Sequence, residues 1–179
     1  MTELWREDLI WEAVRGAELG KRFCTCEGYY HCLWGLLRAS GAMKGLSSEE
    51  QILSDVMTPF IRRNSRVLIG GSADVGVLCS LGRIYGPSKP EFTIIDRCRS
   101  PLELISEFAA ARQASCRTLH ADILELDGRE RWHQIVLHYT ANFVDADHRE
   151  QFLGGIGPAL EPGGTLMCSI KAGERVFSD

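Results

Sequence analysis

The spacing of apolar positions changes character once along the chain. Up to about residue 62 it follows helical periodicity, and from residue 66 to 171 short apolar runs alternate with helical ones. In the first stretch, Leu4, Ile10, Trp11 and Val14 support one amphipathic helix, and Tyr30, Leu33, Trp34 and Leu37 a second that ends near Gly41. The third is the clearest. Ser47 and Glu50 have capping-box spacing, and Ile52, Leu53, Val56, Met57 and Phe60 follow on a single face. Residues 20–30, rich in Gly and Cys, read as a loop between the first two helices.

In the second stretch, Arg66-Val67-Leu68-Ile69-Gly70 is an apolar run halted by glycines, which predicts a buried strand. Val75 to Tyr85 follows as a helix, and Phe92 to Asp96 as a second strand. Ser100-Pro101-Leu102-Glu103 has the composition of a helix start, with Ser as N-cap, Pro first and Glu three residues on. Cys116 to His120, Gln134 to His138 and Gly164 to Ile170 predict strands three to five. Residues 147–160 predict a helix that Gly154, Gly155, Gly157 and Pro158 kink or break. Strand and helix in alternation imply right-handed crossovers and a parallel sheet of the α/β class, which binds ligands beyond the carboxyl ends of its strands.

Composition narrows the function classes. With 45% hydrophobic and 25% charged residues, the 179-residue chain suits a globular domain with its own core. A net charge of −4 offers no global basic field, so no nucleic-acid partner is expected. No apolar run reaches the roughly 20 residues of a membrane span, and the acidic N-terminus does not resemble a secretory signal. The seven cysteines, odd in number and scattered, read as reduced thiols, which points to the cytoplasm. Cys24, Cys26, His31 and Cys32 place four soft ligands in nine residues, but the spacing departs from the C-x₂₋₄-C pairs of zinc sites, and no metal is expected.

The residues suited to chemistry sit at predicted strand ends. Gly70-Gly71-Ser72-Ala73-Asp74 is a small-residue turn that allows close backbone approach to a ligand, with a helix N-terminus beyond it. Asp96, 25 residues after Gly71, can accept from both ribose hydroxyls of an adenosine moiety. Asp122 can accept from an adenine amino group while Ile123 covers the ring. His138 and Tyr139, after strand four, are candidate general bases. Tyr29 and Tyr30, with Phe23 and Trp34, give the helical N-terminus an aromatic density suited to a small apolar or aromatic substrate or equally to a helix core.

The order of these segments resembles the class I S-adenosylmethionine-dependent methyltransferases. Val67 to Asp74 is similar to that family's glycine-rich first motif, Ile94-Ile95-Asp96-Arg97 to the acidic second, and Ala121-Asp122-Ile123 to the third. Trp132 to Val136 resembles the fourth strand, and Leu160-Glu161-Pro162-Gly163-Gly164-Thr165-Leu166 the entry to the fifth. The resemblance covers roughly residues 63 to 171 and implies a Rossmann-like sheet of order 3-2-1-4-5 with helices on both faces. It divides the chain into an N-terminal helical extension or lid, 1–62, and a cofactor domain, 63–179. It implies S-adenosylmethionine contacts at Gly70, Gly71, Ser72, Asp96, Arg97, Asp122 and Ile123, and transfer to a small-molecule acceptor.

The chain departs from the family at Ile69, Ala73, Val75 and His133, and Val75 is expected to crowd the methionine end of the cofactor unless the turn is displaced. The family's C-terminal hairpin does not follow strand five, so a homodimer or a hetero-partner is expected to cover that edge. Two other readings stay open: a methyltransferase-fold subunit without turnover, and a nicotinamide-dependent enzyme, against which the Pro-Gly-Gly segment argues.

Overall fold

The predicted apolar runs become the strands of one sheet in a computed structural model of the chain, which describes residues 3–26, 30–145 and 148–170. The strands are β1 (Arg66–Gly70), β2 (Glu91–Asp96), β3 (Cys116–His120), β4 (Trp132–His138) and β5 (Leu160–Ser169). All pair in parallel, in the order β3-β2-β1-β4-β5. Order reverses beside β1, so the β1 and β2 turns and the loop after β4 share one end of the sheet.

The helices are α1 (Leu9–Phe23), α2 (Tyr30–Ala39), α3 (Glu50–Met57), α4 (Gly76–Tyr85), α5 (Arg99–Arg112) and α6 (Arg149–Ile156). Right-handed crossovers dictate their sides. From β1 to β2 to β3 the chain moves one way across the sheet, so α4 and α5 lie on one face, where Leu78, Leu81, Ile105 and Phe108 meet Val67, Ile69, Phe92 and Ile94. From β4 to β5 it moves the other way, and α6 covers the opposite face, where Phe152 and Ile156 meet Leu68, Ile135 and Leu137. Each such side chain contributes roughly 1.5–3 kcal/mol on burial. Trp5, Leu19, Leu46, Leu53 and Met57 join the first cluster, so the N-terminal helices share the core of the sheet.

Those helices present different faces from the ones their apolar residues predict. Ile10 and Val14 on α1 are 71% and 58% exposed, while Glu12, Ala13, Gly16, Leu19 and Gly20 are buried. On α2, Leu33 and Leu37 are exposed and His31, Cys32 and Arg38 are buried. Two close approaches explain this. A Cβ on Gly35 would lie 2.8 Å from Ala13 Cα, and one on Gly20 would lie 2.7 Å from Cys32 Sγ. The α1–α2 pair is thus packed through small residues, and α1 runs on through Gly20 to Phe23 where a loop was expected. Leu4 belongs to a separate turn, Glu3–Trp5. On α3 only Leu53 and Met57 are buried, while Ile52 and Val56, and Phe60 in the 3₁₀ turn Thr58–Phe60 that follows, are exposed.

Several predicted caps do not form. Ser47 lies in a 3₁₀ turn, Leu46–Ser48; α3 is preceded by Glu49, and Glu50 instead bonds Arg83 at 2.5–3.1 Å. The N-cap of α5 is Cys98, two residues before the predicted Ser100, and Glu103 bonds Arg99. The predicted 147–160 helix is broken at its glycines: α6 ends at Ile156 and a 3₁₀ turn, Gly157–Ala159, leads into β5. That strand opens at Leu160, earlier than predicted, with a register shift opposite Trp132–Gln134 and Gly163 at φ +73°. No described helix is long and apolar enough to cross a membrane.

Candidate functional site

At the sheet end where order reverses, β1 gives way to Gly71 at φ +74°, a conformation that favours glycine. The Gly71 N–H donates to Ile95 O at 2.8 Å, binding the turn to β2. Space above it is limited: a Cβ on Gly71 would lie 2.9 Å from Thr140 Oγ1, and one on Gly70 only 2.2 Å from Ile123 Cδ1. The Thr140 hydroxyl donates to Gly70 O. The loop after β4 and the Ile123 side chain therefore close directly on the two glycines.

Asp96 ends β2 beside this turn. Its carboxylate accepts from Ser72 N at 3.0 Å and from Cys98 N at 2.6 Å. Two backbone donors fix the group and leave acceptor capacity on both oxygens. Asp122 accepts from Leu124 N at 2.9 Å and lies 3.5 Å from the Arg97 guanidinium, while His120 Nε2 meets Arg97 O at 3.0 Å. Gly70, Gly71, Ser72, Asp96, Arg97, Asp122 and Ile123 thus gather at the ends of β1, β2 and β3. Val75 is fully buried and packs in the core as α4 begins.

Asp74 carries a network that the sequence reading missed. Arg38 Nη1 donates to Asp74 Oδ2 at 2.6 Å, Trp34 Nε1 donates to the same oxygen at 2.6 Å, and Gly76 N donates to Oδ1 at 2.7 Å. The other end of the Arg38 guanidinium bonds Glu7, and Glu12 Oε2 lies 3.5 Å from Nη1. Arg38 is 5% exposed at the side chain, so one buried guanidinium serves three carboxyl groups. The signal was present as Trp34 and Arg38 one turn apart on a helix, with an aspartate in the glycine turn.

Tyr30 reaches the same end of the sheet. Its ring packs on Trp34 at 5.3 Å, and burial with the charges of Asp74 and Asp96 pushes its phenol up to about 12. Tyr29 lies outside the described residues. On the β4 side, the register Ile69–Val136, carried on two residues, sets His138 level with Gly71. Burial holds the His138 imidazole below its ordinary pKa, against the opposing charges of Glu49 and Asp74, and its Nδ1 has no hydrogen-bond partner among the described residues. Tyr139, at φ +59°, donates its hydroxyl to Glu49 Oε1 at 2.7 Å, and that bond raises its pKa. His133 lies at the opposite end of β4, where Nδ1 accepts from Arg66 N at 3.0 Å.

No sequence-family profile and no curated protein matches the chain. Solved structures do. A candidate O-methyltransferase from Nostoc punctiforme PCC 73102 matches with a TM-score of 0.58 at 20% identity, covering 89% of this chain and 49% of its own. An S-adenosylmethionine-dependent methyltransferase from Clostridium acetobutylicum ATCC 824 matches at 0.57 and 15% identity, covering 76% and 53%. The N-methyltransferase NodS from Bradyrhizobium japonicum WM9, solved with S-adenosyl-L-homocysteine, matches at 0.50 and 17% identity, covering 66% and 57%. The chain spans about half the length of these structures, and it has the Rossmann-like fold of class I S-adenosylmethionine-dependent methyltransferases.

Proposed function

We propose that the chain binds S-adenosylmethionine at the β1–β2 end of the sheet and transfers its methyl group to a small-molecule acceptor. The observation that carries this reading is Asp96, held by Ser72 N and Cys98 N beside a left-handed glycine turn. The donor set fits the cofactor: a carboxylate with free acceptor capacity for two vicinal hydroxyls, a second carboxylate at Asp122, and an apolar side chain at Ile123 for a ring face. When bound, the cofactor supplies a methyl group on a positively charged sulfur.

The protein's own part is placement. Asp96 takes the ribose hydroxyls, Asp122 the adenine amino group, and Ile123 packs on the ring. The remainder would reach the backbone of Gly70, Gly71 and Ser72 once Thr140 and Ile123 move off the two glycines, with Arg97 at the rim. His138, kept neutral by burial, is the group suited to receive a proton from the acceptor. Tyr139 is held by Glu49 and serves as a wall. Tyr30 and Trp34 face the acceptor side, and proximity accounts for most of the rate.

Calorimetric titration with S-adenosylhomocysteine tests the reading. Wild-type protein is expected to bind it and not NAD, and Asp96→Asn, which keeps the shape but loses the charge, is expected to bind roughly 10–100-fold more weakly, as for charge-assisted hydrogen bonds worth about 1.5–3 kcal/mol. No binding by the wild type, or equal binding by Asp96→Asn, refutes it. Binding without transfer to any acceptor would point to the subunit reading instead.

A further inference from the structure

Cys24 and Cys26 follow α1, His31 opens α2, and Cys98 stands at the β2–α5 junction. The fold brings all four together: three sulfurs and one imidazole nitrogen lie within 4.8 Å of one another, with Cys24 Sγ 3.3 Å from His31 Nδ1. We propose that this cluster is a structural zinc site of the Cys₃His type.

Geometry and chemistry both favour it. Zinc–sulfur bonds of about 2.3 Å and zinc–nitrogen bonds of about 2.0–2.1 Å set tetrahedral ligand atoms about 3.5–3.8 Å apart, so the widest pair need close by only about 1 Å and the Cys24–His31 pair need open only slightly. The space suits a single ion rather than a polynuclear cluster. A disulfide would use two of the thiols and leave the third and the imidazole without purpose, whereas one tetrahedral ion uses all four groups. Four protein ligands close the coordination sphere, which marks a structural site rather than a catalytic one. Binding Zn²⁺ releases the three thiol protons to solvent and leaves one net negative charge. Arg22 and Arg99 flank the ligand residues in sequence, and both guanidinium groups lie over the Phe23 ring, at 4.8 and 4.6 Å.

The ion would clamp the α1–α2 corner to the start of α5. Both sides of that clamp reach the β1–β2 turns. Cys98 N holds Asp96, and the α2 face that begins with His31 continues to Trp34 and Arg38 on Asp74. An effect of the metal on cofactor affinity rests on the function proposed above; occupancy of the metal site does not.

The test is metal binding by the whole chain. Reduced, metal-free protein is titrated with Zn²⁺ and, separately, with Co²⁺, while bound metal is counted by elemental analysis and melting is followed. The expected result is one equivalent bound, a higher melting temperature with Zn²⁺, and tetrahedral Co²⁺ bands with thiolate charge transfer. Cys98→Ser should weaken binding at least 100-fold, and His31→Gln should shift the cobalt bands, while Cys168→Ser, outside the cluster, leaves both unchanged. Failure of the reduced wild type to bind zinc, an octahedral cobalt spectrum, or binding that survives Cys98→Ser overturns the proposal, as does a native disulfide within the cluster whose reduction gives no metal-binding form. These readouts need no cofactor, so their failure is separate from failure of the methyltransferase reading.

Discussion

Glu12 offers the sharpest test of the network beneath the site. Its side chain is 1% exposed on α1, and one carboxyl oxygen, Oε1, has no hydrogen-bond partner among the described residues. Arg38 makes its short bonds to Glu7 and Asp74 and reaches Glu12 Oε2 only at 3.5 Å, and Arg83 lies 3.6 Å from Glu7. Glu12 is therefore the surplus acid. Burial, reinforced by the charge of Asp74 and opposed by Arg38, pushes its carboxyl up to about 8 from the usual 4.5. A folded-state value above the unfolded one means the fold binds this proton more tightly. The associated stability is complete below pH 4.5 and is lost as the pH rises through 8. At 1.36 kcal/mol per pH unit, the full loss is on the order of 5 kcal/mol. Glu12→Gln keeps the shape and removes the titration. Urea unfolding followed by tryptophan fluorescence from pH 5 to 9 should show the two proteins within about 1 kcal/mol of each other at pH 5. By pH 9 the variant should be the more stable by several kcal/mol. Parallel pH profiles for the two proteins would refute the surplus-acid argument.

The same network explains which parts of the molecule were legible in sequence. Strand β1 matches its predicted bounds because a buried parallel strand is a short apolar run bounded by turn residues; β3, at the sheet edge and with no buried residue, matches its bounds without that signal. The sheet order followed from the motif resemblance, and the small-residue turn, Asp96 and Asp122 marked the strand ends. The N-terminal helices misled because apolar periodicity identifies a buried face only when that face is apolar. On α2 the inward face is His31, Trp34 and Arg38, and the leucines 33, 36 and 37 point outward. The inward face is polar because it meets Asp74 and the cysteine cluster, and Asp74 and Cys98 lie 36 or more positions away from their α2 partners. The cluster is hidden in sequence for the same reason: Cys24, Cys26, His31 and Cys32 lack zinc spacing, and the fold packs Cys32 against Gly20 and supplies Cys98 in its place. The failed Ser47–Glu50 cap has a tertiary cause too, since Arg83 on α4 claims Glu50.

Three further outcomes are expected. Light scattering should give a mass of two chains or of a hetero-complex, because β5 forms the edge of the described sheet and exposed edges recruit partners; a clean monomer at high concentration contradicts this. Gly→Ala should act with opposite signs at two helical positions. Gly35→Ala should destabilise by about 1–3 kcal/mol, because its Cβ would lie 2.8 Å from Ala13 Cα. Gly154→Ala on α6 meets nothing within 4 Å and should stabilise by up to about 1 kcal/mol; equal effects at the two sites would refute close packing of α1 on α2. Last, the His138 ring, followed by NMR, should titrate below the ordinary imidazole value, since burial disfavours its charged form. The nearby Glu49 carboxylate opposes that effect, so Glu49→Gln should lower the midpoint further while leaving the Tyr139 hydroxyl a neutral acceptor. A folded-state value below the unfolded one means that stability is present above the ordinary imidazole pKa and falls as the pH drops through the folded one. A midpoint at or above the ordinary value, or one that rises in Glu49→Gln, would remove His138 as a neutral proton acceptor at this end of the sheet.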